Sequence, residues 1–187
     1  MMEVIPEGNK GSRDRALLFL GFAGGFRRSE LIALNIEDLS IGEEGIIVRM
    51  AKSKTDETGR GRTIGIPFGQ NPSACPVRAL EGWLSVSGII SGPLFRPVNQ
   101  WGHIGETRLT DPSVRYVLRE SLLRAGIRPS GFSGHSLRAG FATVAAMNGA
   151  TEHEIQRTTG HVNLEVLRRY IRDGELFKKN AAKKLGL

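Results

Sequence analysis

Three features of the chain predict a mostly helical α+β fold carrying one small antiparallel sheet. Apolar residues recur at helical spacing through most of both halves. Between them lie two short Ile/Val-rich runs, "GIIVRM" and "TIGIPF", separated by a polar stretch. The C-terminal half is punctuated by helix caps and helix stops.

The elements follow in order. After a polar lead, "RDRALLFLGFAGG" carries an apolar stripe and stops at paired glycines, and "SELIALN" reads as a second, shorter helix. "GIIVRM" and "TIGIPF" form a hairpin whose long basic turn is "AKSKTDETGRGR". "CPVRALEGWLSVSG" returns to helix with Pro76 in its first turn, and "GPLFRPVNQWGH", broken by proline and glycine, is a loop. "DPSVRYVLRESLLRAG" has Asp111 as its expected cap and Pro112 at the first helical position, with Val114, Val117, Leu118 and Leu122 on one face. In "HSLRAGFATVAAMNG" the expected apolar side is Leu137, Phe141 and Val144. Thr151 and Glu154 make a capping-box pattern for "TEHEIQRTTG", and Asn163 caps "LEVLRRYIR".

The 187 residues are enough for one ordinary domain. The 26 Lys+Arg against 19 Asp+Glu leave a net charge of +7, the balance expected of a protein that meets nucleic acid; an anionic membrane surface is the competing partner. No apolar run of about 18 residues occurs and no secretory leader is legible, so the chain reads as soluble and cytoplasmic. A lone cysteine, Cys75, can make neither an internal disulfide nor a thiol-rich zinc site, and its neighbours point to a packed helix entry. The four histidines show no metal-ligand spacing with carboxylates or thiols.

Cationic side chains recur at chosen places. In "SGHSLRAG" His135 precedes Arg138 by three residues, a spacing that lets both serve one anion. In "GGFRRSEL" Arg27 precedes Glu30 by three at a helix start, where free N–H groups also favour an anion and a buried carboxylate can hold the guanidinium. His161 precedes Tyr170 by nine residues, a spacing that would set them on opposite faces of one unbroken helix. Asn163 starts the helix after His161 and so frees the histidine to be aimed independently.

The ordered set "GGFRRSEL", "KSKT", "SGHSLRAG", "GHVN" and "RRYIR" resembles the catalytic domain of the tyrosine recombinases, or phage integrases, from about residue 10 onward; "LEGWLSVSG" resembles the Cre-like members in particular. The resemblance implies the DNA breaking-rejoining fold over residues 1–187. It also implies a set of roles. Arg27 and Arg138 match the paired phosphate-clamping arginines, Glu30 the acidic position beside the first, and Lys54 the hairpin-turn lysine. His135 and His161 match the two active-site histidines and Tyr170 the nucleophile. Arg28 stands where an apolar residue is common. The implied partner is double-stranded DNA, met by a tetramer on paired sites and by a monomer when this domain is alone. Residues 1–11 would be the remnant of a linker from an absent N-terminal DNA-binding domain, and residues 173–187 either a charged, solvated tail or one that docks on a neighbouring protomer. The host would be a bacterium, an archaeon or a mobile element, with the protein on the nucleoid when bound.

The chemistry explains the residue types. Transfer of a phosphodiester passes through a five-coordinate phosphorus with added negative charge, which fixed guanidinium and imidazole groups stabilise without metal or ATP, so no cofactor is expected. Tyrosine needs a base to attack at neutral pH, a role given to His135; the departing 5′-oxygen needs a proton, supplied by Lys54. Lys52 competes with Lys54, and Tyr116 with Tyr170, but Tyr116 lies within an amphipathic helix as a core or rim residue, and His103 and His153 lack motif context. A type IB topoisomerase-like enzyme and a DNA-binding module without catalysis are the alternative functions.

Overall fold

The computed structural model describes residues 5–50, 61–176, 178 and 181–185. Lys52 and Lys54 lie outside the described residues. Helix α1 (Asn9–Ala23) ends where the Gly24 N–H donates to the Leu20 carbonyl at 2.9 Å. The paired glycines therefore stop it as expected. Helix α2 (Arg28–Ala33) follows, then a 3-10 turn (Ile36–Asp38) and three strands, β1 (Leu39–Gly42), β2 (Gly45–Met50) and β3 (Arg62–Pro67). They form one antiparallel sheet in the order β1-β2-β3, with Val48 opposite both Leu39 and Ile64.

The hairpin of β2 and β3 matches the sequence reading; β1 was not anticipated. Its four residues are too few to show alternation, and only the "GEEG" turn from Gly42 to Gly45 marks it. Along β2 and β3 the side chains alternate, with Ile46, Val48, Ile64 and Ile66 buried and Ile47, Arg49 and Thr63 exposed. Period two places Arg62 on the same inward row as Ile64 and Ile66.

Helix α3 (Pro76–Ser87) packs chiefly on α1, and Trp83, fully buried, donates its indole N–H to the Leu94 carbonyl at 2.8 Å, pinning the loop that follows. Leu17, Leu18 and Leu20 are likewise sealed, each contributing about 2 kcal/mol of burial. Cys75 is buried at the N-terminus of α3, where its sulfur accepts the Gly69 N–H at 3.1 Å.

Helices α4 (Asp111–Arg124), α5 (Ser136–Met147), α6 (Glu152–Thr159) and α7 (Leu164–Glu175) follow. Two expectations for α4 and α5 are corrected. Thr110, not Asp111, is the N-cap of α4, and Pro112 is its second residue; the Asp111 carboxylate instead pairs with Arg28 of α2 at 2.6 Å. Val144 of α5 is exposed, because the inward row runs through Leu137, Ala142 and Ala146. The caps of α6 and α7 are as read: Thr151 Oγ1 accepts the Glu154 N–H at 3.3 Å, and Asn163 Oδ1 accepts the Glu165 N–H at 2.8 Å. Tyr116 is a rim residue with Lys10 Nζ 5.8 Å from its ring centre, and His103 and His153 are exposed.

Among the described residues, the buried apolar side chains form two clusters. The larger joins α1, α3, α4 and the sheet; the smaller consists of Ala142, Ala146, Ile155 and Leu167, with Phe141, Leu164, Tyr170 and Ile171 packed against it. No helix of the described residues is long and apolar enough to cross a membrane.

Candidate active site

Arg27 is the residue before α2, in extended conformation, so its side chain leaves the helix start. Glu30 in the first turn binds it twice: Glu30 Oε2 accepts the Arg27 backbone N–H at 2.8 Å, and Oε1 accepts Nη1 at 2.5 Å. Arg27 Nη2 lies 3.4 Å from the Gly160 carbonyl. The neighbour Arg28 turns to Asp111, which leaves Arg27 as the arginine of this motif that enters the site. Burial pushes the Glu30 carboxyl up, but the Arg27 N–H bond and the charges of Arg62 and Arg27 outweigh it and hold the group below its ordinary range.

His135 is the N-cap of α5 and exposed, while Arg138 one turn on is buried at 4% exposure. Arg138 reaches back to the end of α1. Its Nη1 donates to the Gly25 carbonyl at 2.8 Å and to the Thr159 carbonyl, and its Nε lies 3.4 Å from His161 Nε2. Nη2 has no partner among the described residues. Burial, then the charge of Arg27, lowers the Arg138 guanidinium to about 10, which leaves it cationic at neutral pH.

Gly160 ends α6 in the left-handed conformation (φ 63°), the turn that lets the chain leave the helix and present His161. His161 Nδ1 is 2.8 Å from Thr159 Oγ1, and its carbonyl accepts from Gln156 Nε2 at 3.2 Å. Burial and the charges of Arg138, Arg27 and Arg62 depress the imidazole to about 4, so it is neutral at physiological pH. Asn163 then starts α7, which carries Tyr170. The His161 and Tyr170 rings have centroids 6.3 Å apart, and Arg169 Cζ lies 5.6 Å from the tyrosine ring centre.

These side chains line one recess: Arg27, His135, Arg138, Ala139, His161, Val166 and Tyr170. Every described member of the sequence-derived set is thus at or against one place, with Glu30 behind Arg27; Lys54 lies outside the described residues. Two further residues were missed. Arg62 Nη2 donates to Glu30 Oε2 at 3.1 Å, and its Nη1 donates to the Thr159 carbonyl. Period two from Ile64 and Ile66 was the available signal for its inward aim. Thr159, fully buried, supplies one carbonyl to both Arg62 and Arg138 and its hydroxyl to His161. Nothing in the sequence announces that convergence, although the exposed C-terminal carbonyls of a helix are a natural seat for cations.

A polyhelical domain with a three-stranded sheet and a cationic recess bearing a tyrosine has the fold of solved site-specific recombinases. Superposition on XerH recombinase bound to its palindromic difH substrate gives a TM-score of 0.72 at 21% identity, covering 99% of this chain and 49% of that one. XerA recombinase gives 0.71 at 22% identity, covering 96% and 60%. Residues 1–175 match the Phage integrase family, and the chain belongs to it. It is 43% identical over 175 residues to an integrase/recombinase XerD homolog of Selenomonas ruminantium, and 33% identical over 174 residues to the tyrosine recombinase XerC of Staphylococcus carnosus. The alignments cover 94% and 89% of this chain and 51% of each relative, so the chain spans about half the length of those relatives.

Proposed function

We propose that this chain is the catalytic domain of a site-specific DNA recombinase that cleaves and rejoins duplex DNA through Tyr170. The observation that carries the reading is the recess itself: a tyrosine faces two arginines and two histidines supplied by the start of α2, the start of α5, the α6–α7 turn and α7. Arg27 and Arg138 grip the non-bridging oxygens of the scissile phosphate, with Arg138 Nη2 as a donor left over for it. Fixed by Glu30, Gly25 and Thr159, they need no rearrangement as negative charge grows on phosphorus.

Tyr170 Oη attacks phosphorus as His135 takes its proton. The bond to the 5′-oxygen breaks, and that oxygen leaves with a proton from Lys54, yielding a 3′-phosphotyrosyl intermediate and a free 5′-hydroxyl. A 5′-hydroxyl from a partner strand then attacks the phosphotyrosine and restores Tyr170. Each step exchanges one phosphodiester for another, so neither ATP nor a metal ion is called for. Strand exchange requires protomers on paired sites, for which a tetramer on DNA is the working assembly and the isolated domain a monomer. The enzyme works on DNA in the cytoplasm.

A nicked duplex whose cleaved end diffuses away traps the covalent intermediate, seen as a protein band carrying labelled DNA. The wild type should form it, and Tyr170→Phe should lose it entirely while binding duplex DNA with little change, since one hydroxyl is removed and the cationic surface remains. An adduct that survives the substitution, or that maps to Tyr116, overturns the assignment.

A further inference from the structure

We infer that Thr159 is a positioning residue that locks His161 in the Nδ1–H tautomer, so that His161 meets Arg138 with a lone pair. A threonine hydroxyl has one proton to give, and Thr159 Oγ1 donates it to the Ile155 carbonyl at 2.7 Å. The oxygen can then only accept from His161 Nδ1, 2.8 Å away, which places the ring proton on Nδ1. The opposite edge of the ring gives the same answer independently. His161 Nε2 faces Arg138 Nε at 3.4 Å, and that guanidinium nitrogen is always a donor. A proton on Nε2 would set two N–H groups against each other.

Helix geometry makes the lock rigid. The Thr159 hydroxyl bonds the carbonyl one turn back along α6, and Thr159 is fully buried against Gly25, where a side-chain atom added at the glycine would come within 2.9 Å of Thr159 Cγ2. Its carbonyl meanwhile receives Arg138 Nη1, so one residue fixes both the imidazole and the guanidinium. The inference rests on the recombinase reading for its consequence in catalysis. In the resting site His161 buttresses the clamping arginine as an acceptor, and Nε2 gives no hydrogen bond to a phosphate oxygen until it has gained a proton.

The tautomer can be read directly by ¹⁵N-correlated NMR of the whole chain, with the His161 ring signals identified by their loss in His161→Gln. In the wild type at neutral pH, Nδ1 should show the pyrrole-type shift and Nε2 the pyridine-type shift. Thr159→Ser should keep this pattern. Thr159→Val, nearly isosteric, should shift the tautomer ratio about tenfold toward Nε2–H, the size expected for loss of one buried hydrogen bond, and slow adduct formation on the nicked duplex by a similar factor, with serine close to wild type.

A wild-type His161 carrying its proton on Nε2 overturns the inference even if the valine variant does not fold. So does an unchanged tautomer in a folded Thr159→Val, or a changed tautomer with unchanged cleavage. If the wild type shows the expected nitrogen shifts but forms no adduct, the lock stands and the recombinase reading falls.

Discussion

Arg62, the first residue of β3, meets Glu30, in the first turn of α2, with 3.1 Å between Nη2 and Oε2. The pair ties the sheet to the helix start that aims Arg27, and the Arg62 guanidinium continues to the end of α6. Glu30 thus balances two arginines with one carboxylate. Burial, then repulsion by Arg27, lowers the Arg62 guanidinium, and the attraction of Glu30 opposes both.

That relationship sets the first prediction. Arg62→Met keeps an unbranched apolar stem in place of the arginine's but removes its donors, leaving Glu30 and the Thr159 carbonyl each short of one partner. Stability should fall by about 2 kcal/mol in urea unfolding. Combined with Glu30→Gln, the double-mutant cycle should give a coupling of about 1–2 kcal/mol. Additive losses would show that the two side chains act separately.

Gly160→Ala should be costly for two separable reasons. The left-handed conformation at φ 63° penalises any side chain by about 1–2 kcal/mol. A Cβ there would also lie 2.2 Å from Arg62 Nη1. In an Arg62→Ala background only the first cost should remain. An equal cost in both backgrounds, measured by unfolding midpoints, would remove the crowding argument.

The depressed imidazole of His161 predicts a pH-dependent stability with a definite sign. The unfolded chain binds a proton at this ring near 6.5, whereas the folded chain resists until about 4. Between those values the unfolded state holds more protons, so stability contributed by His161 is present above pH 6.5 and drains away as pH falls toward 4. Glu30, also held low, adds a loss of the same sign below its ordinary 4.5. The stability difference between wild type and His161→Gln should therefore change across pH 6.5 to 4. A constant difference over that window contradicts the assignment.

Lys54→Ala should cut cleavage of an ordinary duplex but not of one whose bridging 5′-oxygen is replaced by sulfur, because a thiolate leaves without a proton. Single-turnover rates on the two substrates make the comparison. A variant equally impaired on both would leave Lys54 as a phosphate contact and pass the general-acid role to another group.

What the sequence made legible was whatever depends on short-range pattern. Helix stripes, the Gly24 stop, the Asn163 cap and the alternation of β2 and β3 all follow from neighbours within a few residues, and the structure has each. Asp111 was misread because its carboxylate, well suited to a cap, has a stronger attraction in the Arg28 guanidinium of another helix. Val144 fits a stripe drawn on α5 alone, but α7 packs on the row of Ala142 and Ala146, and that choice of face is tertiary. The motif residues could be named from their order along the chain. The scaffold that holds them could not, since the Thr159 carbonyl serves arginines 97 and 21 residues away.

The small cluster under α7 has a consequence for cooperativity. Tyr170 rests on Ala142, Ala146, Ile155 and Leu167, two of them alanines, while Arg27 stands beside the large body built from α1, α3 and the sheet. Opening α7 alone exposes far less apolar surface than global unfolding, so its free energy of opening lies well below that of the whole domain. Amide exchange should accordingly resolve two protection levels, with α7 the faster. Tyr170 is carried by a unit that can leave and return while much of the frame that holds Arg27 and Arg62 stays folded.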